Sequence, residues 1–363
     1  MPRLGFGLLW VAILSITVAA RSKSKLLQIY FLDTEGGQAT LVATPSGHGL
    51  LFDAGWAGGR DASRIVAAIK DAKVKHLDYL VVTHFHPDHA GGVPDLARVI
   101  RVGTFVDHGP NLEDSEASRR VYDSYKKIAE KAKYLTVKPG DGLSMKDVTV
   151  KVLTAAGAHI ADPPAGAGTA NAFCDLLSTS SFDDTENSRS VGTLITFGKF
   201  RFLDLGDLSE KQELELACPN NMIGTVDLYL VTHHGAAGSN AKALVWGLAP
   251  RVGVMENGVD KGDDPATWQT IHNSPGLEDL WQLHLSTTGE LPLNVAEPFI
   301  ANLDEKSEGN YIKVRADGDG NFTVFNSRNK RNEELFQEVY GKFAFQSAIL
   351  DNRNGRLSFG AFL

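Results

Sequence analysis

Cysteine is scarce in this chain of 363 residues, which contains only Cys174 and Cys218. The two cysteines lack the close Cys/His spacing of a structural zinc site. An oxidising compartment would allow them to form one disulfide, and a reducing one would leave two free thiols. Their separation in the sequence does not decide between these alternatives.

Long apolar runs are also lacking once the N-terminus has been passed, so we expect no transmembrane span in the mature chain. The exception is Leu4–Ala20, which follows Arg3 and ends in small residues before the basic segment 21–25. This pattern is typical of a secretory signal peptide with its cleavage site. We therefore predict that residues 1–20 are removed and that the protein is secreted or periplasmic. An uncleaved N-terminal membrane anchor is the alternative.

Basic residues do not dominate the composition. The chain has 36 Lys and Arg against 44 Asp and Glu, a net charge of −8, and no basic stripe. Because nucleic-acid binders neutralise phosphates with clustered cations, this balance indicates no strong nucleic-acid-binding surface. A nucleic acid as substrate stays open, since a metal in an active site binds phosphate by itself.

Strands and helices alternate along the chain in two similar halves. Apolar runs such as Leu77–Val82 predict buried strands, and the spacing of apolar residues in Glu113–Lys133 predicts an amphipathic helix. This alternation favours helices packed outside two sheets. After a strand at Arg251–Met255 we expect two helices before a final hairpin. The long stretch 155–188, rich in small and polar residues, predicts an insertion near the mouth of the site.

The chemistry is concentrated in His84-x-His86-x-Asp88-His89, which comes directly after a buried strand and before Gly91-Gly92. Imidazole and carboxylate are the ligands that zinc and related metals prefer. A turn at the end of a strand directs side chains to different sides. His84 and His86 could therefore bind one ion, and Asp88 and His89 a second.

This motif resembles the signature of the metallo-β-lactamase superfamily. Segments 33–39, 50–55, 202–207 and 231–235 resemble, in the same order, the branch that contains the hydrolase domain of the DNA-uptake competence protein ComEC. The resemblance implies an α/β fold of the four-layer αββα type over residues 26–328, with two divalent metal ions at one edge of the sheets. It leaves residues 329–363 as a C-terminal tail of unknown role.

Further site residues follow from this resemblance. Asp207, which follows Gly206 at the end of a strand, would bridge the two metals. Asp204 is the competing candidate, although strand alternation would point it to the opposite face. One residue of the His233-His234 tandem would complete the Asp88/His89 site. We assign His234 as that ligand, and His233 as a pocket residue that acts in catalysis together with Asp88.

The sequence departs from classical members of the superfamily at one ligand. They carry a further histidine between the first motif and the bridging aspartate, where this chain has Asn187-Ser188-Arg189-Ser190. That element resembles the competence-type branch. Asn187 is either a weak ligand of the His84/His86 metal or a residue that caps a turn. The metals are expected to be zinc, with manganese as the alternative.

Three residues at strand ends are candidates for supporting roles. Asp53 would hold the metal-binding loop through hydrogen bonds, or act as an ordinary turn aspartate. His108 and Asn257 also follow strands on the expected side of the site. Each is a candidate substrate contact, with a structural role as the alternative.

The expected function is that of an exported hydrolase that uses a metal-activated water molecule. The favoured substrate is a phosphodiester or phosphoryl ester. The substrate would be a small molecule or another phosphorylated compound. One alternative is a carbonyl substrate, namely an ester, a lactone or a β-lactam. Another is a non-catalytic metal-binding envelope protein. The oligomeric state is not predicted.

Overall fold

The structure, a computed structural model, describes residues 26–174, 184–304 and 306–337. The predicted signal peptide lies outside these residues. Within the described ranges, no helix is both long and apolar enough to cross a bilayer.

The strands, in chain order, are β1 (Leu27–Phe31), β2 (Thr40–Ala43), β3 (Gly49–Phe52), β4 (Leu77–Val81), β5 (Val102–Asp107), β6 (Lys133–Thr136), β7 (Gly142–Leu143), β8 (Thr149–Ala155), β9 (Ala158–His159), β10 (Thr169–Ala170), β11 (Gly192–Phe197), β12 (Phe200–Asp204), β13 (Asn220–Asn221), β14 (Leu228–Leu230), β15 (Val252–Met255), β16 (Asp279–His284), β17 (Ile300–Asn302), β18 (Ile312–Ala316), β19 (Phe322–Asn326) and β20 (Asn332–Leu335). The α-helices are α1 (Arg60–Asp71), α2 (Pro87–Ala90), α3 (Val93–Leu96), α4 (Glu116–Ala129), α5 (Glu210–Ala217), α6 (Lys242–Leu248) and α7 (Pro265–His272). Short 3₁₀ turns lie at Asn187–Arg189, Thr232–Gly235 and Glu297–Phe299.

Two mixed sheets form the centre of the fold. The first has the strand order β20-β19-β18-β1-β2-β3-β4-β5-β6. The second has the order β17-β16-β15-β14-β12-β11-β8-β7, with β9 paired to β8. A separate two-stranded ribbon joins β10 to β13.

Apolar side chains define four layers. One core lies between the two sheets and includes Phe31, Phe202 and Trp281. A second core packs α1 and its neighbours on the outer face of the first sheet, for example through Ile65. A third packs α5 to α7 on the outer face of the second sheet, for example through Leu244. The predicted αββα sandwich is therefore confirmed.

Parallel strands determine where the functional loops lie. In the first sheet β3, β4 and β5 run parallel, and in the second β12, β14, β15 and β16 do so. Their loops leave from the carboxyl ends, where open α/β sheets usually bind ligands. Such strands are covered on both faces, which explains why apolar residues run nearly continuously through them.

Two predicted elements differ from the structure. The expected helix over Glu113–Lys133 is shorter, because Ser115 caps α4 by accepting a hydrogen bond from the Ser118 amide. Its last predicted residue belongs to β6. Only one of the two helices expected after β15 is present as α7, and β16 and β17 follow it. Since β16 is buried on both faces, its apolar pattern cannot be told from that of a buried helix.

The predicted insertion is tied down at several points. β9 pairs with β8 and β10 pairs with β13. A disulfide joins Cys174 to Cys218 at the end of α5, with the Cα atoms 5.6 Å apart. At the other end of the described sequence, β20 adds a strand to the first sheet, within the segment that the sequence assigns to the tail.

Candidate metal centre

Loops from both sheets meet at the carboxyl ends of their parallel strands. The loop after β4 carries His84, His86, Asp88 and His89, and the loop after β12 carries Asp207. The turn after β14 carries the two tandem histidines. Residues far apart in the sequence thus converge at one edge of the sandwich.

Four of these residues form a compact group, which we call the four-donor cluster: Asp88, His89, Asp207 and His234. One potential ligand atom from each lies within 4.8 Å of all the others, and all four residues are buried. The Nε2 atoms of His89 and His234 are 3.2 Å apart. The Asp207 Oδ2 atom lies 3.2 Å from the first and 3.4 Å from the second.

Hydrogen bonds on the outer side of the cluster orient its imidazoles. The Nδ1 atom of His234 lies 3.1 Å from the Glu256 carbonyl oxygen, which can only accept. The Nδ1 atom of His89 lies 2.7 Å from the Asp53 carboxylate. Because Nδ1 must carry the hydrogen in both contacts, the Nε2 lone pairs of the neutral rings point at each other and at the two carboxylates.

His84 and His86 form a second group, which we call the histidine pair. The Nε2 atom of His84 lies 3.0 Å from the Nδ1 atom of His86. The Thr83 hydroxyl donates to Asp53 and so accepts from His84 Nδ1, at 3.1 Å. The Nε2 atom of His86 donates to Glu113 at 2.9 Å. The inward nitrogens of the pair therefore also present lone pairs to each other.

Asp207 lies between the two groups. Its Oδ2 atom is 3.9 Å from His84 Nε2 as well as in contact range of the cluster histidines. Its Oδ1 atom is buried without a hydrogen-bond partner. Converging lone pairs and an unpartnered buried carboxylate oxygen are costly unless a cation compensates them. The residues thus fit divalent metal ions.

The electrostatics of the two groups differ. Burial disfavours the charged form of His89, but the carboxylates of Asp207 and Asp88 outweigh it and raise its pKa well above the usual value. Burial and the neighbouring His89 and His86 hold the pKa of His84 well below its usual value. The four-donor cluster attracts positive charge, and the histidine pair resists protonation.

Comparison with known proteins agrees with this geometry. Residues 32–161 match the family model described as the metallo-beta-lactamase superfamily. The resemblance to the metallo-β-lactamase superfamily is confirmed. The matched segment contains the histidine pair together with Asp88 and His89.

Relatives and solved structures are more distant. Recombination protein 2 of Haemophilus influenzae is 25% identical over 234 residues, which are 64% of this chain and 24% of that protein. This relative supports the competence-type branch of the superfamily. The metallo-β-lactamase-fold protein YhfI of Bacillus subtilis is 12% identical, with a TM-score of 0.43 over 74% of this chain and 98% of that chain. The diiron β-hydroxylase CmlA of Streptomyces venezuelae is 15% identical, with a TM-score of 0.41 over 69% of this chain and 50% of that chain.

Three residues around this centre have a left-handed backbone conformation. Asp53, His233 and His234 have φ values of 56°, 55° and 55°. Non-glycine residues adopt such left-handed conformations only when surrounding contacts impose them. Asp53 shows such contacts, since its carboxylate accepts from the Thr83 amide, the Thr83 hydroxyl and His89.

His233 and Asn187 lie together at the edge of the centre. The Nε2 atom of His233 is 3.6 Å from Asp207 Oδ2 and 3.5 Å from the Asn187 amide nitrogen. The Oδ1 atom of Asn187 is buried without a partner. The Ser239 hydroxyl donates to Leu208, so it accepts from His233 Nδ1 and leaves Nε2 as an acceptor.

Other candidates lie outside the centre. Asp204 accepts from Gln38 and from the Gly206 amide, and burial raises its pKa to about 7. His108 is buried and bonded to Glu186 at 2.9 Å. Asn257 is buried and bonded to the backbone of His284. His108 and Asn257 thus connect structural elements through these hydrogen bonds.

Sequence reasoning missed three charged residues around the site. Glu113 contacts His86, and Glu186 joins the backbone amides of Phe85 and Leu112 as well as His108. Lys261 forms an ion pair with Asp88. Each lies in a loop among other charged residues, so no local pattern distinguishes it, and only the folded chain brings it to the centre.

Proposed function

We propose that the protein is an exported, metal-dependent hydrolase whose favoured substrate is a phosphodiester or phosphoryl ester. The convergence of inward lone pairs and buried carboxylates at one sheet edge carries this proposal. Members of the superfamily are usually metal-dependent hydrolases. A structural metal site is usually closed by four protein ligands, whereas two donor groups around one shared carboxylate suit catalysis.

The donor set suits two ions, either zinc or manganese. The histidine pair would hold one ion, Asp88, His89 and His234 would hold the other, and Asp207 would contact both. Asn187 would complete the first site only weakly, because an amide oxygen is a poorer ligand than imidazole for zinc. When bound, zinc lowers the pKa of water to about 7, and either ion would polarise the substrate oxygen.

The protein residues then direct the proton. His233 has a side chain that is 25% exposed, so it faces the mouth of the site. Burial lowers its pKa, and its Nε2 atom is an acceptor. As water attacks phosphorus, its proton passes to this Nε2 atom and then to the leaving oxygen. Asp88 orients the water through its carboxylate.

The phosphoryl preference rests on the relative. Its printed name assigns it to recombination, a process of nucleic acids, whose backbone linkage is a phosphodiester. Because the chain matches only 24% of that protein, the activity of the whole relative is not transferred. Two metal ions side by side would suit the hydrolysis of such a bond.

Export is supported by the disulfide. Cys174 and Cys218 are joined in the structure, and disulfides persist mainly in secreted and periplasmic proteins. Together with the apolar run at the N-terminus, this favours a location outside the cytoplasm. Labelling of thiols in purified protein, with and without reductant, measures whether the bond forms.

The function is tested with bis(p-nitrophenyl) phosphate. The mature protein is loaded with zinc or manganese, and release of p-nitrophenol is compared with that of the Asp88→Ala variant. We expect metal-dependent release that the variant lacks. Asp123→Ala is the matched control, because Asp123 is exposed on α4.

The other outcomes discriminate between the alternatives. Release from p-nitrophenyl acetate or a chromogenic β-lactam, without release from the phosphodiester, would contradict the phosphoryl preference and indicate a carbonyl substrate. Metal binding without turnover of any of these compounds would indicate a non-catalytic binding protein. Thermal unfolding of each variant establishes that the fold is retained.

A further inference from the structure

Lys261 is placed directly against the four-donor cluster. Its Nζ atom forms an ion pair with the Asp88 carboxylate, which is almost fully buried, while the lysine side chain itself is 37% exposed. Within the described ranges, no other Lys or Arg forms an ion pair with a residue of the cluster. The ammonium thus lies at the boundary between the centre and solvent.

The backbone holds Lys261 in this position. The Gly258 amide donates to the Lys261 carbonyl at 2.9 Å and closes a tight turn. Asp263 follows two residues later, and its amide donates to the His234 carbonyl at 2.9 Å. Between them Gly262 has φ 77° and packs against the His234 backbone, with no room for a Cβ atom. The loop 258–263, which carries Lys261, is therefore bonded to His234 of the cluster.

Trp56 forms the neighbouring wall. The Lys261 Nζ atom lies 5.2 Å from the centre of its indole ring, within the range of a cation–π contact. The Trp56 amide donates to Asp61 at 2.8 Å, which fixes the backbone of the wall. The side chain is only partly buried, so an aromatic surface lies beside the ammonium at the mouth.

Lys261 keeps hydrogen-bonding capacity for a ligand. An ammonium group has three donors. The contact with Asp88 occupies one of them, and the exposed part of the side chain leaves others for a ligand.

We propose that Lys261 and Trp56 form an anion-binding subsite that holds a phosphoryl oxygen of the substrate beside the metal centre. The inference rests on the proposed function and specifies that the substrate is anionic next to the reacting bond. Lys261 supplies the charge, and Trp56 covers one side of the bound group. The subsite favours the binding of anionic over neutral substrates. The chemical step takes place at the metal centre.

Phosphate binding tests the subsite without turnover. Inorganic phosphate is titrated into the metal-loaded protein, and binding is followed by tryptophan fluorescence, with Trp56→Phe identifying the contribution of that ring. We expect Lys261→Gln to weaken phosphate binding about 10-fold, because a charge-assisted contact is lost. Lys261→Arg should retain most of the affinity. Lys242→Gln is the matched control, since Lys242 lies 4.0 Å from the Trp246 ring and makes no ion pair with the cluster.

Kinetics provide the second measurement. For bis(p-nitrophenyl) phosphate, Lys261→Gln should raise KM about 10-fold while kcat changes less than about 2-fold. The KM for neutral p-nitrophenyl acetate should stay unchanged. Metal content, measured by mass spectrometry, should equal that of the unsubstituted protein.

Three results would overturn the subsite: unchanged phosphate affinity in Lys261→Gln, an equal loss in Lys242→Gln, or loss of metal from both Lys261→Gln and Lys261→Arg. Failure of the proposed function is distinguishable from these. If phosphate binding depends on Lys261 but no phosphodiester is cleaved, the subsite stands and the phosphodiesterase assignment fails.

Discussion

The two halves of the metal centre are built from similar residues but differ in charge and in the number of donors. The four-donor cluster has two carboxylates among its ligands, and these raise the pKa of His89. The histidine pair has two imidazoles, and the nearest carboxylate on its outer side, Glu113, is bonded to His86. Carboxylates offset the cost of burying a cation, so the cluster should bind metal more tightly. Residues that are adjacent in one sequence motif can therefore contribute to two sites with different charge and different expected metal affinity.

Loss of the shared carboxylate should have the largest effect. Asp207→Asn keeps the shape of the side chain but removes the charge that faces both halves. We expect activity to fall about 1,000-fold and the occupancy of both metals to decrease. Substitution of a residue that only hydrogen-bonds to a metal ligand typically costs about 10- to 100-fold. Metal content and turnover are measured on the same preparation, with Asp123→Asn as control. Full metal content with normal turnover would remove Asp207 from the centre.

Loss of a histidine from the pair should remove metal from that half of the centre and leave the other half occupied. His86→Ala is expected to lower the bound metal from about two ions to about one and to reduce activity about 100-fold, because the cluster retains all its donors. His76→Ala is the control, since the side chain of His76 is partly exposed and the residue precedes β4 at the opposite end of that strand from the site. If His86→Ala empties both sites, the halves do not bind metal independently.

A change on the outer side of the pair should act on that half alone. Glu113→Gln keeps an acceptor for His86 Nε2 but makes the imidazole less basic. We expect metal affinity at the pair to fall about 10-fold and affinity at the cluster to stay constant. Competition with a chromogenic chelator resolves the two affinities. The same loss in Glu116→Gln, an exposed residue of α4, would indicate a general charge effect.

Adding an imidazole should reduce the difference between the halves. Asn187→His places a stronger ligand where Asn187 has an unpartnered buried oxygen. We expect the pair to bind zinc about 3- to 10-fold more tightly, whereas Asn187→Ala should leave it equal or weaker. Chelator competition again measures the change. Tightening at the cluster instead of the pair would show that Asn187 belongs to the wrong half.

The smallest effect is expected on the pH dependence of the free energy of unfolding, through Glu213 on α5. Glu213 accepts a hydrogen bond from the Ala241 amide, and burial raises its pKa to about 7 from an ordinary value of 4.5. The native state then holds a proton that the unfolded state releases between these values, so its contribution to stability falls as the pH rises from about 4.5 to 7. Glu213→Gln should remove this pH dependence. Between pH 5 and pH 8, the free energy of unfolding of the unsubstituted protein should therefore fall by about 1–3 kcal/mol more than that of the variant.

Urea unfolding at both pH values measures this difference. Glu215→Gln, a change at an exposed residue of the same helix, is the control. A pH dependence that persists in Glu213→Gln would show that another group titrates. Glu213 lies outside the metal ligands, so activity per folded molecule should be unchanged.

Local pattern predicted the parts of the fold that depend on neighbouring residues. The buried strands β4 and β14, the helix α1 and the final hairpin lie where the apolar periodicity places them. The periodicity failed at β16, because a strand buried on both faces has no alternation to read. The strand β20 was missed because its sequence Asn332–Leu335 is mostly polar and has no apolar alternation to mark it.

The site shows the same division. The spacing in His84-x-His86-x-Asp88-His89 by itself predicts metal ligands after a strand, because these residue types at that spacing are typical of metal binding. Only the tertiary structure brought in Glu113, Glu186 and Lys261. Their positions depend on loops that meet across two sheets, and the distances between such loops are set by packing of the whole sandwich and not by the residues next to them in the chain.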